Sequence, residues 1–149
     1  MDSDTPRIGQ ILCDMGVISD RDVREVLSQQ RRTHQKFGQI AVNWGLAKPQ
    51  QIWEAWCRQL VDRQIRIDLN EIGVDTHAVA KVPRELALSH RVLPLRLWGR
   101  HLVVALPGPE AEAILPELSE QTGCRVFHCF AKGEQLDQHL EWAYGMAGV

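Results

Sequence analysis

Apolar residues recur at helical spacing from Ile8 to Leu60 and then change to short alternating or continuous runs. Ile8, Ile11, Leu12 and Met15 lie on one face of a short helix, which Gly16 stops as a residue able to turn left-handed. Ser19 followed by Asp20 and Asp22 reads as an N-cap with acidic residues in the first turn, opening a helix whose inner face is Val23, Val26 and Leu27. Phe37, Ile40, Ala41 and Trp44 form the next short helix, ended by Gly45. Pro49 opens a fourth, where its missing N–H needs no partner, with Ile52, Trp53, Trp56 and Leu60 facing the core.

After residue 64 the period shortens. Ile65–Leu69 alternates like a strand, and Pro83 starts a helix running through Glu85 to His90. Arg91–Trp98 and His101–Leu106, joined at Gly99-Arg100, predict a hairpin. Pro107-Gly108-Pro109 breaks the chain. Glu110–Thr122 is helical in pattern, with Ile114, Leu115 and Leu118 inward and Gly123 as its stop. Arg125–Ala131 predicts a strand and Gly133–Tyr144 a closing helix. Residues 1–6 read as a disordered leader. The expected fold class is α+β: residues 1–64 a four-helix tandem repeat, residues 65–149 a small three- or four-stranded sheet with flanking helices.

The first part is a repeat in the strict sense. Arg7–Gln30 and Lys36–Gln59 are each 24 residues long and are separated by the five residues Arg31–Gln35. Both begin basic, apolar, Gly (Arg7-Ile8-Gly9 and Lys36-Phe37-Gly38). Both place a second glycine at the same distance (Gly16, Gly45), then large apolar residues (Val23 and Leu27, Ile52 and Trp56), and close on Gln30 and Gln59. Such agreement means one small unit used twice.

Composition narrows the chemistry. With 17 basic and 19 acidic residues the net charge is −2, so no DNA partner is expected. No apolar run is long enough to span a bilayer, and Met1-Asp2-Ser3-Asp4 carries no signal-peptide pattern; a cytoplasmic location is expected. Cys13, Cys57, Cys124 and Cys129 lack CxxC spacing and lie in apolar segments, as buried reduced thiols would. There is no G-x-x-x-x-G-K-[ST], G-x-S-x-G or H-E-x-x-H, and the six histidines are scattered singly. No enzyme activity, cofactor or metal site is expected.

The repeat alone offers binding chemistry. Arg7 supplies a planar charged fork for phosphate or a guanine edge. Gly9 and Gly38 stand inside helical patterns, where Gly costs about 1 kcal/mol relative to Ala, so something is expected to approach the backbone there. Ile8, Leu12, Phe37 and Trp44 could cover the faces of bases. The same glycines and apolar residues are equally suited to helix packing.

At these residues the sequence resembles a known family. Arg7-Ile8-Gly9-x-x-Leu12-x-x-x-Gly16 with Val23, Leu27 and Gln30 is similar to the R-L-G-x-x-L-x-x-x-G…L-x-x-x-L-x-x-Q motif. Two copies of this motif mark the N-terminal, MshEN-type domain of type II secretion and type IV pilus assembly ATPases. Val82–Ala87 and Arg91–Leu95 resemble that domain's second half. The resemblance implies binding of cyclic di-GMP between the two motifs. Carried over by position, the ligand residues are Arg7, Ile8, Gly9, Leu12, Gly16 and Gln30, with Lys36, Phe37, Gly38, Gly45 and Gln59 from the second copy. The second copy departs from the pattern at Ala41 and Trp56, where leucines are expected, and Pro107-Gly108-Pro109 replaces an acidic Ala-Asp-Pro. The implied role is a non-catalytic regulatory domain acting on a secretion or pilus ATPase core, or on a membrane glycosyltransferase, in cis or in trans. The alternative is a docking domain that attaches a secretion ATPase to its inner-membrane platform protein without binding ligand.

Overall fold

The glycine punctuation of the first part is realised in full. The computed structural model describes the backbone of residues 4–145, with side chains from residue 8. Four helices open it: α1 (Asp4–Asp14), α2 (Asp20–Thr33), α3 (Phe37–Asn43) and α4 (Pro49–Asp62). α1 begins earlier than the pattern predicted and takes Asp4–Pro6 of the expected leader into its first turn. Proline is tolerated there because the first four N–H groups have no intrahelical partner. The rest of that leader, residues 1–3, lies outside the described residues.

Both short helices end in the same way. Gly16 (φ +76°) donates to Cys13 O at 2.9 Å and Val17 to Leu12 O at 2.9 Å. Gly45 (φ +74°) donates to Val42 O at 3.0 Å and Leu46 to Ala41 O at 2.9 Å. This is the Schellman pairing, which uses carbonyls the helix leaves open and needs a residue at ease in the left-handed region. α2 then starts from a reciprocal cap: Ser19 Oγ accepts from Asp22 N at 3.1 Å, and Asp22 Oδ2 accepts from Ser19 N at 3.0 Å. Ahead of α4 only half of this survives, with Lys48 N donating to Gln51 Oε1 at 2.8 Å.

The chain divides into two compact units, Met1–Gln59 and Leu60–Val149, with the boundary inside α4. The core of the first unit is Leu12, Ile18, Val26, Phe37, Ile40 and Ala55, with Ile8, Val23, Leu27 and Ile52 packed against it. α4 contributes to that core through Ala55 rather than through its tryptophans. Trp53 and Trp56 are half-buried and meet edge to face, with ring centroids 5.0 Å apart.

The second unit is a four-stranded sheet ordered β1-β4-β3-β2, from β1 (Arg66–Ile67), β2 (Leu93–Trp98), β3 (His101–Leu106) and β4 (Arg125–Ala131). β2 and β3 form the expected hairpin, with Gly99 at φ +56° in the turn. β4 pairs parallel to β3, and β1 parallel to β4. The alternation at 65–69 yields only a two-residue strand. Asp68 stops it, because its carboxylate accepts from Asn70 N at 2.9 Å and so caps α5 (Leu69–Ile72).

α6 (Thr76–Lys81), capped by Asp75, is a second short helix that the pattern did not show. α7 (Arg84–His90) starts after Pro83 as expected. The single helix expected over 110–122 divides into a 3-10 turn, Pro109–Ile114, and α8 (Leu115–Thr122), in which Pro116 cannot donate a helical hydrogen bond. Within it Ile114 and Leu118 are buried, while Leu115 is only half-buried. α9 (Gly133–Leu140) widens into a π-turn over Glu141–Gly145. Arg91 holds α9 through a two-pronged pair with Asp137, at 2.9 and 3.0 Å. Tyr144 OH donates to Val79 O at 2.8 Å.

Candidate functional site

The glycines that open the two motifs face the same kind of neighbour. A Cβ on Gly9 would lie 3.0 Å from Val23 Cγ1 and 3.3 Å from Phe37 Cζ. A Cβ on Gly38 would lie 2.7 Å from Ile52 Cγ2. Val23 and Ile52 occupy matched positions of the two copies, so each glycine admits the large apolar residue that opens the following helix of its own unit. The close approach expected at these glycines is therefore made by protein side chains. The shared separation of Gly9 from Val23 and Gly38 from Ile52 was the signal for it in the sequence.

The other positions fall into an interior and an exterior set. Leu12 (0% exposed) and Phe37 (2%) are core residues, and Gly9 is buried between helices. Ile8, Gly38 and Gln30 are half-buried, and Gly16, Lys36 and Gly45 are exposed. Ala41, standing where the first copy has Leu12, is also fully buried. The side chain of Arg7 lies outside the described residues; its backbone belongs to α1. Lys36 sits just ahead of α3, extended at φ −69° and ψ 146°. Trp44, the aromatic expected to cover a base, is 44% exposed. The middle of α1 and the start of α3 are thus brought together through Gly9 and Phe37, while Gly16 and Gly45 act just past the C-terminal ends of those helices.

The closing glutamines are unlike each other. Gln59 is buried, and its Oε1 has no hydrogen-bond partner among the described residues. An unmet buried acceptor costs about 1–3 kcal/mol. Gln30 is half-buried and engaged.

The remaining reactive groups among the described residues make contacts within the fold. Among the described residues no three His, Cys, Asp or Glu side chains are grouped to hold a metal ion. Cys57, Cys124 and Cys129 are buried thiols outside any disulfide, whereas Cys13, expected to be buried, is only half so. Burial, followed by its contact with Asp20 Oδ1 at 3.6 Å, raises the Cys13 thiol above its ordinary value and keeps it a poor nucleophile. His128 Nε2 lies 2.6 Å from Glu112 Oε2 and ties β4 to the 3-10 turn. No described helix is long and apolar enough to cross a membrane.

Comparison with known proteins finds similar chains. The chain is similar to the type IV pilus assembly ATPase PilB of Myxococcus xanthus, 23% identical over 142 residues; this covers 95% of the chain and 25% of that protein. The chain thus spans about a quarter of the length of this relative. Among solved structures it resembles MshE with cdg, at 24% identity and a TM-score of 0.49, covering 93% of this chain and 99% of that one. It also resembles the N-terminal domain of XpsE, at 14% identity and a TM-score of 0.44, covering 95% and 97%. The MshEN domain model matches residues 61–149, more than half of the chain and beyond both motif copies. By that match the chain belongs to the MshEN domain family.

Proposed function

We propose that this chain is a non-catalytic regulatory domain that binds cyclic di-GMP at its tandem motif and passes the signal to a secretion or pilus assembly ATPase. The observation that carries the reading is the duplicated motif itself. Two helix pairs share one glycine contact and one left-handed stop, and both begin with a cation. A ligand with two guanines and two phosphates has the matching two-fold character.

In this reading residues 1–64 receive the ligand and residues 65–149 relay it. The described groups with surface to offer are Ile8, Gly16 and Gln30 of the first copy, with Lys36, Gly38 and Gly45 of the second; Arg7 joins them by its place in the motif. Gly9, Leu12 and Phe37 support them from the interior, and Gln59 brings an acceptor that has no partner among the described residues. The similarity to a pilus ATPase, of which this chain covers a quarter, supports an ATPase core as the machine regulated. A membrane glycosyltransferase is the other effector of this type, in cis or in trans.

Titration calorimetry with cyclic di-GMP tests the reading. Saturable heat is expected, weakened about tenfold or more by Arg7→Ala, since a lost charge-assisted contact is worth roughly 1.5–3 kcal/mol. Absence of heat from the folded protein would overturn it.

One observation favours the second reading, docking to an inner-membrane platform protein. The family match lies on residues 61–149, the part without the motifs. Under that reading the platform's cytoplasmic segment binds equally well with and without cyclic di-GMP, and Arg7→Ala changes nothing.

A further inference from the structure

α5 and the stretch from α9 into the π-turn stand side by side in the second unit and leave a cleft of about 410 Å³ between them. Its walls are Leu69, Asn70 and Val74 on one side and Gln138, His139 and Trp142 on the other. On the second wall the three residues form a stripe at i, i+1 and i+4, beside the buried Leu136 and Leu140.

The walls are pinned. Gln135 Oε1 accepts from Leu69 N at 2.9 Å, and its Nε2 donates to Asp68 Oδ1 at 3.0 Å, joining α9 to the start of α5. Arg96 donates to Ile72 O at 2.7 Å and to Gly73 O at 3.0 Å, which fixes the end of α5. His139 Nδ1 lies 2.8 Å from Gln135 O. The cleft is preformed, so little ordering opposes binding there.

Two features of its rim say what it takes. Trp142 is 66% exposed, more than any other large apolar side chain described, although tryptophan is the residue with most to gain from burial. On the two elements that wall the cleft the charged side chains are acidic. α5 reads Leu-Asn-Glu-Ile, and Gly133–Gly145 carries Glu134, Asp137 and Glu141 without a single Lys or Arg. The cations close by are already engaged: Arg91 with Asp137, Lys132 with Asp68 and Arg96 with backbone carbonyls. Glu71, Glu134 and Glu141 are exposed, and none pairs with a cation among the described residues.

We propose that this cleft docks a cationic amphipathic protein segment, which covers Trp142 with an apolar side chain and sets Lys or Arg against Glu71, Glu134 and Glu141. Complementary charge steers the encounter and fixes register, while the desolvated tryptophan supplies most of the affinity. The site is separate from the tandem motif and stands whether or not that motif holds a nucleotide.

The test titrates the full isotope-labelled chain with a synthetic leucine–lysine amphipathic helix and with its leucine–glutamate counterpart, followed by NMR. Saturable shifts are expected from the cationic peptide only, centred on the Trp142 indole N–H and the amides of Asn70, Gly73 and Gln138. Binding should weaken about tenfold or more in Trp142→Ala, as for an interface tryptophan, and should fall with added salt. Glu71→Lys with Glu141→Lys, both at exposed positions, serves as a second variant and should abolish the preference for the cationic peptide.

Shifts centred elsewhere, equal binding of the anionic peptide, or no saturation would each overturn the proposal. So would a concentration-dependent dimer in sedimentation that Trp142→Ala dissolves, since the occupant would then be a second copy of this chain.

Discussion

The two halves of the tandem repeat share a backbone and differ in side chains. Each has a short helix, a left-handed glycine stop and a longer helix whose first large apolar residue seats on the opening glycine. What changes is volume and polarity. Fully buried Leu12 becomes fully buried Ala41, half-buried Leu27 becomes Trp56, and exposed Arg24 becomes half-buried Trp53. The reciprocal cap of Ser19 and Asp22 is reduced to the single bond from Lys48 to Gln51. Backbone requirements are satisfied at single positions and survive duplication. Core volume is shared among neighbours and can be redistributed, so it drifts.

This comparison can be broken most forcefully in the core. Leu12→Ala should destabilise the protein by about 2–5 kcal/mol in urea unfolding, through lost burial and the cavity left behind. The reverse change in the second copy, Ala41→Leu, should destabilise by about 1–3 kcal/mol through overpacking. A neutral Ala41→Leu would show that the second copy retains room for the leucine it lacks.

The glycine contacts come next. Gly38→Ala drives a methyl to within 2.7 Å of Ile52 Cγ2, whereas Gly9→Ala meets Val23 at 3.0 Å. Both gain roughly 1 kcal/mol of helix propensity. Gly38→Ala should therefore be the worse of the two by about 1 kcal/mol, and Gly38→Ala combined with Ile52→Val should recover part of the loss. Equal effects would sink the idea that the second contact is the tighter.

At the helix stops the copies should behave alike. Gly16→Ala and Gly45→Ala each force an L-residue into the left-handed region with no neighbour in the way, which costs about 1–2 kcal/mol. A difference between them beyond about 0.5 kcal/mol would mean that something other than φ matters at one end. The smallest effects lie at the caps. Ser19→Ala should cost about 1 kcal/mol, and Lys48→Ser should return up to about the same amount to the second copy, both read from thermal midpoints.

Much of this was legible in the chain. Gly16, Gly45 and Gly123 stop helices because a left-handed residue is needed there, and that need is expressed within one turn of backbone. The hairpin around Gly99 and the strand Arg125–Ala131 were equally readable, since alternation and turn chemistry act over a few residues. α5 and α6 were missed because four and six residues are too few to display a period; only their aspartate caps, Asp68 and Asp75, betray them. At the candidate site, the duplicated motif and its members were visible in sequence, and so was the demand for a small residue at Gly9 and Gly38.

By itself, then, the sequence determined the repeat and the glycine stops of its short helices, because each depends on interactions between near neighbours along the chain. Tertiary structure alone decided that Val23 and Ile52 fill the space beside the glycines and that Ala55 rather than Trp53 and Trp56 enters the first core. It also decided that β4 inserts between β1 and β3, and that Trp142 lines a cleft between α5 and α9. Those outcomes follow from which surfaces fit when separate elements pack, and a local pattern carries no information about the shape of a distant neighbour.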